Sequence, residues 1–480
     1  MKSKNRRNNS FMKKTVIIIV CTLLAAPIMA GTFSDFFKNK TMRLDYYHTG
    51  NAVEEHFAFD GIVADGPWAG TTTKLIDTLR LGKYFFEVKD PDTDHVLYSR
   101  GFASIYGEWE TTPDAKKNWG VYHESLRFPW PEKDVEVVVY KRDQEHRFRP
   151  VWSYEVDLDN YRVNPASRGK YYQSYHVVEN GAPHEKVDIV ILSEGYTAGN
   201  MDKFRSDAEH FARVLFAHEP FASRKSDFNI RAVEVPAPQS GLNHPHQDIY
   251  RRSALSVTYG AFGSERYALG FDNKKIRNAA ATVPYEYTVL MMNDSIYGGG
   301  GIYNLYITAA ADNAFRDYLF VHEFGHHFAD LADEYYTSAT AYEMNADLKE
   351  PWEFNVTTNT NAETIKWSEL VTEDTPIPTP WDKEAFDKHS MAVQKKRGAL
   401  RKAHASEREM EELFRKQQQY EDSLLNNMKY SGHVGAFEGA QYKAKGVYRS
   451  EPNCLMFTRH DQFCAACRRG INLVIDQNVE

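Results

Sequence analysis

Between residues 32 and 163, apolar and polar positions alternate in short runs such as Lys83-Tyr-Phe-Phe-Glu-Val-Lys89 and Asp134-Val-Glu-Val-Val-Val-Tyr140. A period of two sends successive side chains to opposite faces, so these runs predict strands. Gly, Pro and Asp clusters separate them, as in Ala64-Asp-Gly-Pro-Trp-Ala-Gly70 and Asp90-Pro-Asp-Thr-Asp94. The combination reads as an all-β, sandwich-like domain over residues 31–163. The pattern changes near Asn164. Lys186-Val-Asp-Ile-Val-Ile-Leu-Ser193 is almost continuously apolar, the mark of a strand covered on both faces. After Gly195, Phe204, Ala208, Phe211 and Leu215 recur at helical spacing within residues 201–218. Two further buried-strand runs, 229–235 and 287–293, make residues 164–480 a mixed α/β layer domain and the whole chain α+β.

Residues 391–428 alternate basic and acidic side chains around Leu400, Met410, Leu413, Phe414, Leu424 and Leu425. This predicts a solvent-facing amphipathic helix or helical pair, inserted at about 385–430 and packed on the second domain; the apolar stripe is too short for a coiled coil. Four glycines in Tyr297-Gly-Gly-Gly-Gly-Ile-Tyr-Asn304 lack the Lys-Ser or Lys-Thr of a phosphate loop. They suit a tight turn or an edge strand along which an extended peptide lies. His244-Pro-His246 reads as an exposed polar loop, since no third ligand is spaced nearby.

The 480 residues are 42% hydrophobic and 26% charged, with a net charge of -8. These are globular values with no basic surplus, so nucleic acid is not an expected partner. Lys2, Lys4, Arg6, Arg7, Lys13 and Lys14 precede an uncharged run over residues 15–30 that is too short for a comfortable membrane span. Residues 1–30 therefore read as an export signal cleaved after Ala30, with Cys21 inside it. The mature chain is expected outside the cytoplasm, secreted, periplasmic or on the cell surface, with no transmembrane segment. It keeps Cys454, Cys464 and Cys467. An oxidising compartment favours one disulfide, Cys454 with Cys464 or Cys467; a structural zinc on the three cysteines and His460 is the alternative.

The chemistry concentrates in Tyr318-Leu-Phe-Val-His322-Glu323-Phe-Gly-His326-His327-Phe-Ala-Asp330-Leu-Ala-Asp333-Glu334. Four residues apart on a helix, the imidazoles of His322 and His326 leave one face and reach one zinc ion. Glu323 sits one position round from the first, placed to take a proton from the water that attacks a substrate. Catalytic zinc commonly has three protein ligands, and a straight helix would carry Asp333 roughly 10 Å past His326. The chain must turn back, and Asp330 is the residue between them that best tolerates a left-handed turn. Such a turn returns Asp333 or Glu334 to the metal.

These residues resemble the metzincin class of zinc peptidases, whose pattern continues His-x-x-Gly-x-x-His or Asp before a later methionine turn. Here Ala329 and Ala332 occupy the glycine and third-ligand positions, and Asp330 and Asp333 match those roles if one residue is inserted. The stretch 322–335 more closely resembles the IgA-specific metallopeptidase family, the igalysin type. Leu192-Ser-Glu-Gly-Tyr-Thr197, Phe262-Gly-Ser-Glu-Arg266, the glycine run, Cys454-Leu-Met456 and Phe463-Cys-Ala-Ala-Cys467 are similar to it in the same order. The resemblance implies a metzincin-like domain behind a β-rich one, a methionine turn at Met456 braced by bridged cysteines, and Asp333 as third ligand. It leaves Glu334 as an acceptor for a ligating histidine's free N–H. The expected function is hydrolysis of peptide bonds in a protein or peptide substrate, with zinc as cofactor and Glu323 as base. Tyr448, just before the methionine turn, is either an oxyanion donor or a buried structural residue. The competing reading is a surface adhesin or glycan-binding protein whose zinc is structural.

Overall fold

The computed structural model of the chain describes residues 32–166, 171–337 and 348–480. The expected export signal, 1–30, lies outside them. After a short helix α1 (Phe33–Phe36), seven strands follow: β1 (Phe37–Gly50), β2 (Glu55–Ala64), β3 (Tyr84–Lys89), β4 (Val96–Phe102), β5 (Gly120–Pro131), β6 (Val135–Arg142) and β7 (Phe148–Val156). A helix, α2 (Ile105–Trp109), intervenes before β5, and a two-residue strand, β8 (Val163–Asn164), follows β7. They form two four-stranded sheets, ordered β5-β1-β2-β8 and β4-β3-β6-β7. Met42, Leu44 and Tyr46 of β1 and Leu126 and Phe128 of β5 share one core with Tyr84, Phe86 and Val88 of β3 and Val135, Val137 and Val139 of β6. This is the β-rich N-terminal part expected from the alternation.

The other face of β1 departs from simple alternation. Arg43 and Asp45, which a two-layer sandwich would leave in water, are buried. Arg43 donates to Asp45 (2.8 Å), Asp65 (2.7 Å) and Asn278 (3.0 Å), and Asp65 also accepts from Arg127 (2.9 Å) and from Tyr285 Oη (2.9 Å). Burial alone would raise the Asp65 carboxyl, but Arg43 and Arg127 outweigh it and hold its pKa below the usual value. A polar seam thus joins the sandwich to the rest of the chain.

The second part is built on a six-stranded sheet ordered β15-β16-β14-β10-β11-β9. Its strands are β9 (Gln173–Val178), β10 (Val187–Glu194), β11 (Phe228–Glu234), β14 (Tyr287–Met292), β15 (Gly299–Ile302) and β16 (Tyr306–Ala310), with a small hairpin of β12 (Val257–Tyr259) and β13 (Ala268–Gly270) inserted. The four inner strands run parallel, and β9 and β15 close the edges antiparallel. Every residue of β10, β11 and β14 is buried, as the continuous apolar runs predict. Helix α3 (Met201–Leu215) packs against α5 (Arg316–Ala329), which packs in turn on β15, β16 and α8 (Ala465–Asn478); α4 (Asn273–Ala280) lies between β10 and the sandwich strand β5. The charged insertion is a pair of helices, α6 (Lys383–Lys402) and α7 (Glu407–Asn426), packed together. Its docking is specific: Phe414 meets Tyr297 and Phe315 edge-on, and Glu407 accepts the Tyr297 N–H (2.9 Å). A last small sheet orders β17 (Val356–Thr357), β19 (Lys443–Arg449) and β18 (Phe437–Ala440).

Candidate metal centre

Helix α5 is anchored by Leu319, Phe320, Val321, Phe324 and Phe328, all buried. Gly325 allows close packing: a Cβ there would stand 3.1 Å from Met456 Sδ and 3.3 Å from the Phe463 ring, tighter than ordinary contact. The helix stops where the sequence suggests a reversal: Asp330 is left-handed at φ 49°, ψ 36°, and its N–H donates to His326 O (3.0 Å). Its carboxylate is held from two sides, by the N–H of Gly82 in the sandwich (2.6 Å) and by Trp352 Nε1 (2.8 Å). Beyond the turn, Asn355 brackets the chain, accepting from Ala332 N–H (2.9 Å) and donating to Ala332 O (2.8 Å).

This path brings Asp333 to the histidines. Asp333 Oδ1 lies 3.2 Å from His322 Nε2 and 3.2 Å from His326 Nε2, and the two nitrogens are 3.2 Å apart. Metal bonds of about 2.0–2.1 Å in a tetrahedral arrangement place neighbouring ligand atoms about 3.3 Å apart, so the triangle fits one ion. Asp333 Oδ1 is buried without a hydrogen-bond partner among the described residues, aimed at that centre. The outer nitrogens are committed elsewhere: His326 Nδ1–H donates to Leu331 O (2.5 Å) and His322 Nδ1–H to Leu455 O (3.2 Å). In the neutral rings this leaves both Nε2 lone pairs facing inward, the tautomer a metal ligand needs. Burial would raise the Asp333 carboxyl, but the imidazoles, His326 foremost, hold it well below its usual value. His326, which burial would depress, is pushed up to about 9 by Asp333. The field at this point is made for a cation. His327 takes no part: its ring turns to Ile302 O (2.9 Å) and Thr288 N (3.2 Å), and burial drives its pKa down to about 3.

Asp333 is also gripped by the β18–β19 hairpin. Its two-residue turn, Gln441-Tyr442, has positive φ at both positions (49° and 61°), as a type I′ turn demands, although neither residue is one that favours it. Gln441 N–H donates to Asp333 O (2.9 Å), and Tyr442 Oη donates to Asp333 Oδ2. Tyr448, considered from the sequence as a donor, pairs with Thr357 and Glu438 and is absent from the walls of the site. The sequence offers little to find Tyr442 by, because only the turn brings it round.

The triangle opens into a cavity of about 390 Å³. Glu323 lines it, half-buried; burial raises its carboxyl above the usual value, against the pull of His322 and His326. The glycine run forms another wall as β15, the sheet edge. Lys83, Gly107 and Glu108 of the sandwich and Gln394 and Arg397 of α6 also line it, contributions that the sequence reading assigned to neither segment. A Cβ on Gly301 would meet Glu323 O at 2.3 Å and His326 Cβ at 3.1 Å. We expect Gly301→Ala to push the edge strand off α5, lowering kcat/KM more than about tenfold and stability by about 1–3 kcal/mol. Wild-type kinetics and an unchanged urea midpoint would refute that account of the glycine.

Met456 is buried beneath the helix, its sulfur against Gly325 between His322 and His326. Glu334 does not accept from a histidine; it points away, taking Asn355 Nδ2 (3.0 Å) and the thiols of Cys464 and Cys467 (3.3 Å each). No disulfide joins the three cysteines, which are free and buried, and His460 faces Asp422 and Asp461 rather than them. Pro245 and His246 are exposed as the loop reading expects, but His244 is buried, stacked on Tyr259 and paired with Asp294 (2.8 Å).

Two family models match the chain: IgA Peptidase M64 over residues 176–475 and Peptidase M64 N-terminus over residues 32–153. A search of the curated proteins found no match.

Proposed function

The chain belongs to the IgA Peptidase M64 family, a family of metallopeptidases, and from that premise we propose that it is an exported zinc endopeptidase with His322, His326 and Asp333 as ligands and Glu323 as general base. The observation that carries the reading is the 3.2 Å triangle of two inward Nε2 atoms and one unpartnered carboxylate oxygen at the floor of an open cavity. Bound there, zinc would supply a Lewis acid for the scissile carbonyl and would acidify water at its open position. The chain's own residues do the rest. Glu323, raised by burial, takes the proton of the attacking water and returns it to the departing amine nitrogen. Beyond Gly299, whose N–H already donates to Arg266 O (3.2 Å), strand β15 offers the rest of its edge to an extended substrate. Tyr442 and the Gln441 N–H hold Asp333 in place while charge moves. An adhesin with a structural ion would gain nothing from a carboxylate facing the cavity. Export rests on the charged and then uncharged pattern of residues 1–30.

The test is to incubate the purified protein with a peptide library, with and without chelator, and map products by mass spectrometry. Cleavage that stops with chelator and returns with zinc supports the reading; no cleavage, or cleavage indifferent to chelation, refutes it. In the same assay Asp333→Ala should need a chelator concentration lower by more than about 100-fold, beyond the ~10–100-fold cost of losing a residue that only orients a ligand. Unchanged chelator sensitivity would place the third ligand elsewhere.

A further inference from the structure

Outside the lining of the cavity, Glu334, Cys454, Cys464 and Cys467 bring one donor atom each within 4.8 Å of one another, all four residues buried. The distances are informative. Cys454 and Cys467 sulfurs are 3.8 Å apart, and Glu334 Oε1 is 3.3 Å from the sulfurs of Cys464 and Cys467. Around a tetrahedral ion with metal–sulfur bonds of about 2.3 Å and a metal–oxygen bond of about 2.0 Å, sulfurs fall about 3.8 Å apart and sulfur and oxygen about 3.5 Å. A disulfide would require about 2.05 Å and would leave a third thiol and a carboxylate buried together.

Backbone N–H groups are aimed at two of the sulfurs. Cys464 N–H (3.2 Å) and Met456 N–H (3.4 Å) donate to Cys454 Sγ, and Cys467 N–H donates to Cys464 Sγ (3.4 Å). Glu334 Oε2 is buried with no hydrogen-bond partner among the described residues. Arg449, fully buried, spends its guanidinium on the carbonyls of Gly439 and Pro452, which leaves its charge to offset surplus negative charge nearby.

We propose that Cys454, Cys464, Cys467 and Glu334 form a second, structural metal site, separate from the His322–His326–Asp333 centre, that takes zinc. Three sulfurs and one oxygen make a closed four-coordinate set, soft enough for zinc and without an open position for a reacting group. On binding, the thiol protons leave to solvent. The ion ties three pieces together: Glu334, whose N–H donates to Met456 O (2.8 Å); the strap whose Leu455 O orients His322; and the start of α8. It would brace the strap beneath the first centre without touching substrate.

The deciding experiment uses the full chain carrying His322→Ala and His326→Ala, loaded with zinc and dialysed. Elemental analysis should find two zinc equivalents in wild type and one in the double variant. X-ray absorption at the zinc edge of the double variant should show sulfur at about 2.3 Å. Adding Cys464→Ser should remove that equivalent. If this triple variant does not fold, the count and the absorption spectrum of the double variant still decide. Zinc absent from the double variant, zinc ligated by nitrogen and oxygen alone, or a Cys454 cross-link in peptide mapping would each overturn the proposal. Failure of the catalytic reading would look different: wild type with a single, sulfur-bound zinc.

Discussion

Glu323→Gln is expected to keep its metal and lose turnover by about 10²–10⁴-fold, the range for removing a positioned acid–base group. The substitution keeps the side chain's length and shape, and Glu323 is not among the three atoms of the triangle. What it removes is the ability to accept a proton at the cavity wall. The loss should therefore fall on kcat, while elemental analysis of the purified variant matches wild type. A fully active Glu323→Gln protein would dismiss the carboxylate as base, and a metal-free one would show it to be structural.

His326→Ala should abolish activity by a different route, through the metal. Its Nε2 supplies one corner of the triangle, and its Nδ1–H pins Leu331 O just past the turn. With the ring gone, Asp333 stays buried with one of its two imidazole partners missing, the uncompensated arrangement that costs about 3–5 kcal/mol when a buried ion pair is broken. We expect one zinc equivalent fewer than wild type, hydrolysis below detection, and a lower unfolding midpoint. Retained zinc with retained activity would remove His326 from the ligand set.

The parts of this arrangement that were legible in the sequence are those set by local periodicity. His322, Glu323 and His326 follow from helical spacing, and Asp330 could be picked as the turn because few residues accept left-handed geometry. The almost unbroken apolar runs of β10 and β14 likewise announced strands covered on both faces. What stayed hidden depends on contacts between distant segments. Nothing local in Lys83 or Glu108 says that a sandwich edge lines a cavity built about 200 residues later. A period of two along β1 gives no sign that Arg43 and Asp45, on the face away from the sandwich core, are buried by contacts that include Asp65 and Asn278. The cysteines read as an odd set because their fourth companion in space is Glu334, about 120 residues before the first of them in the chain. Glutamates are too common for composition to single that one out.

The Asp330 turn has a meaning beyond chain reversal. Its carboxylate is clasped by Gly82 from one half of the molecule and Trp352 from the other, and three residues later the backbone delivers Asp333. The position of Asp333, the proposed third ligand, is thus held in joint tenancy: neither half of the chain owns it. A change in the sandwich that moves Gly82 would therefore be felt at Asp333, three residues beyond the carboxylate that Gly82 holds.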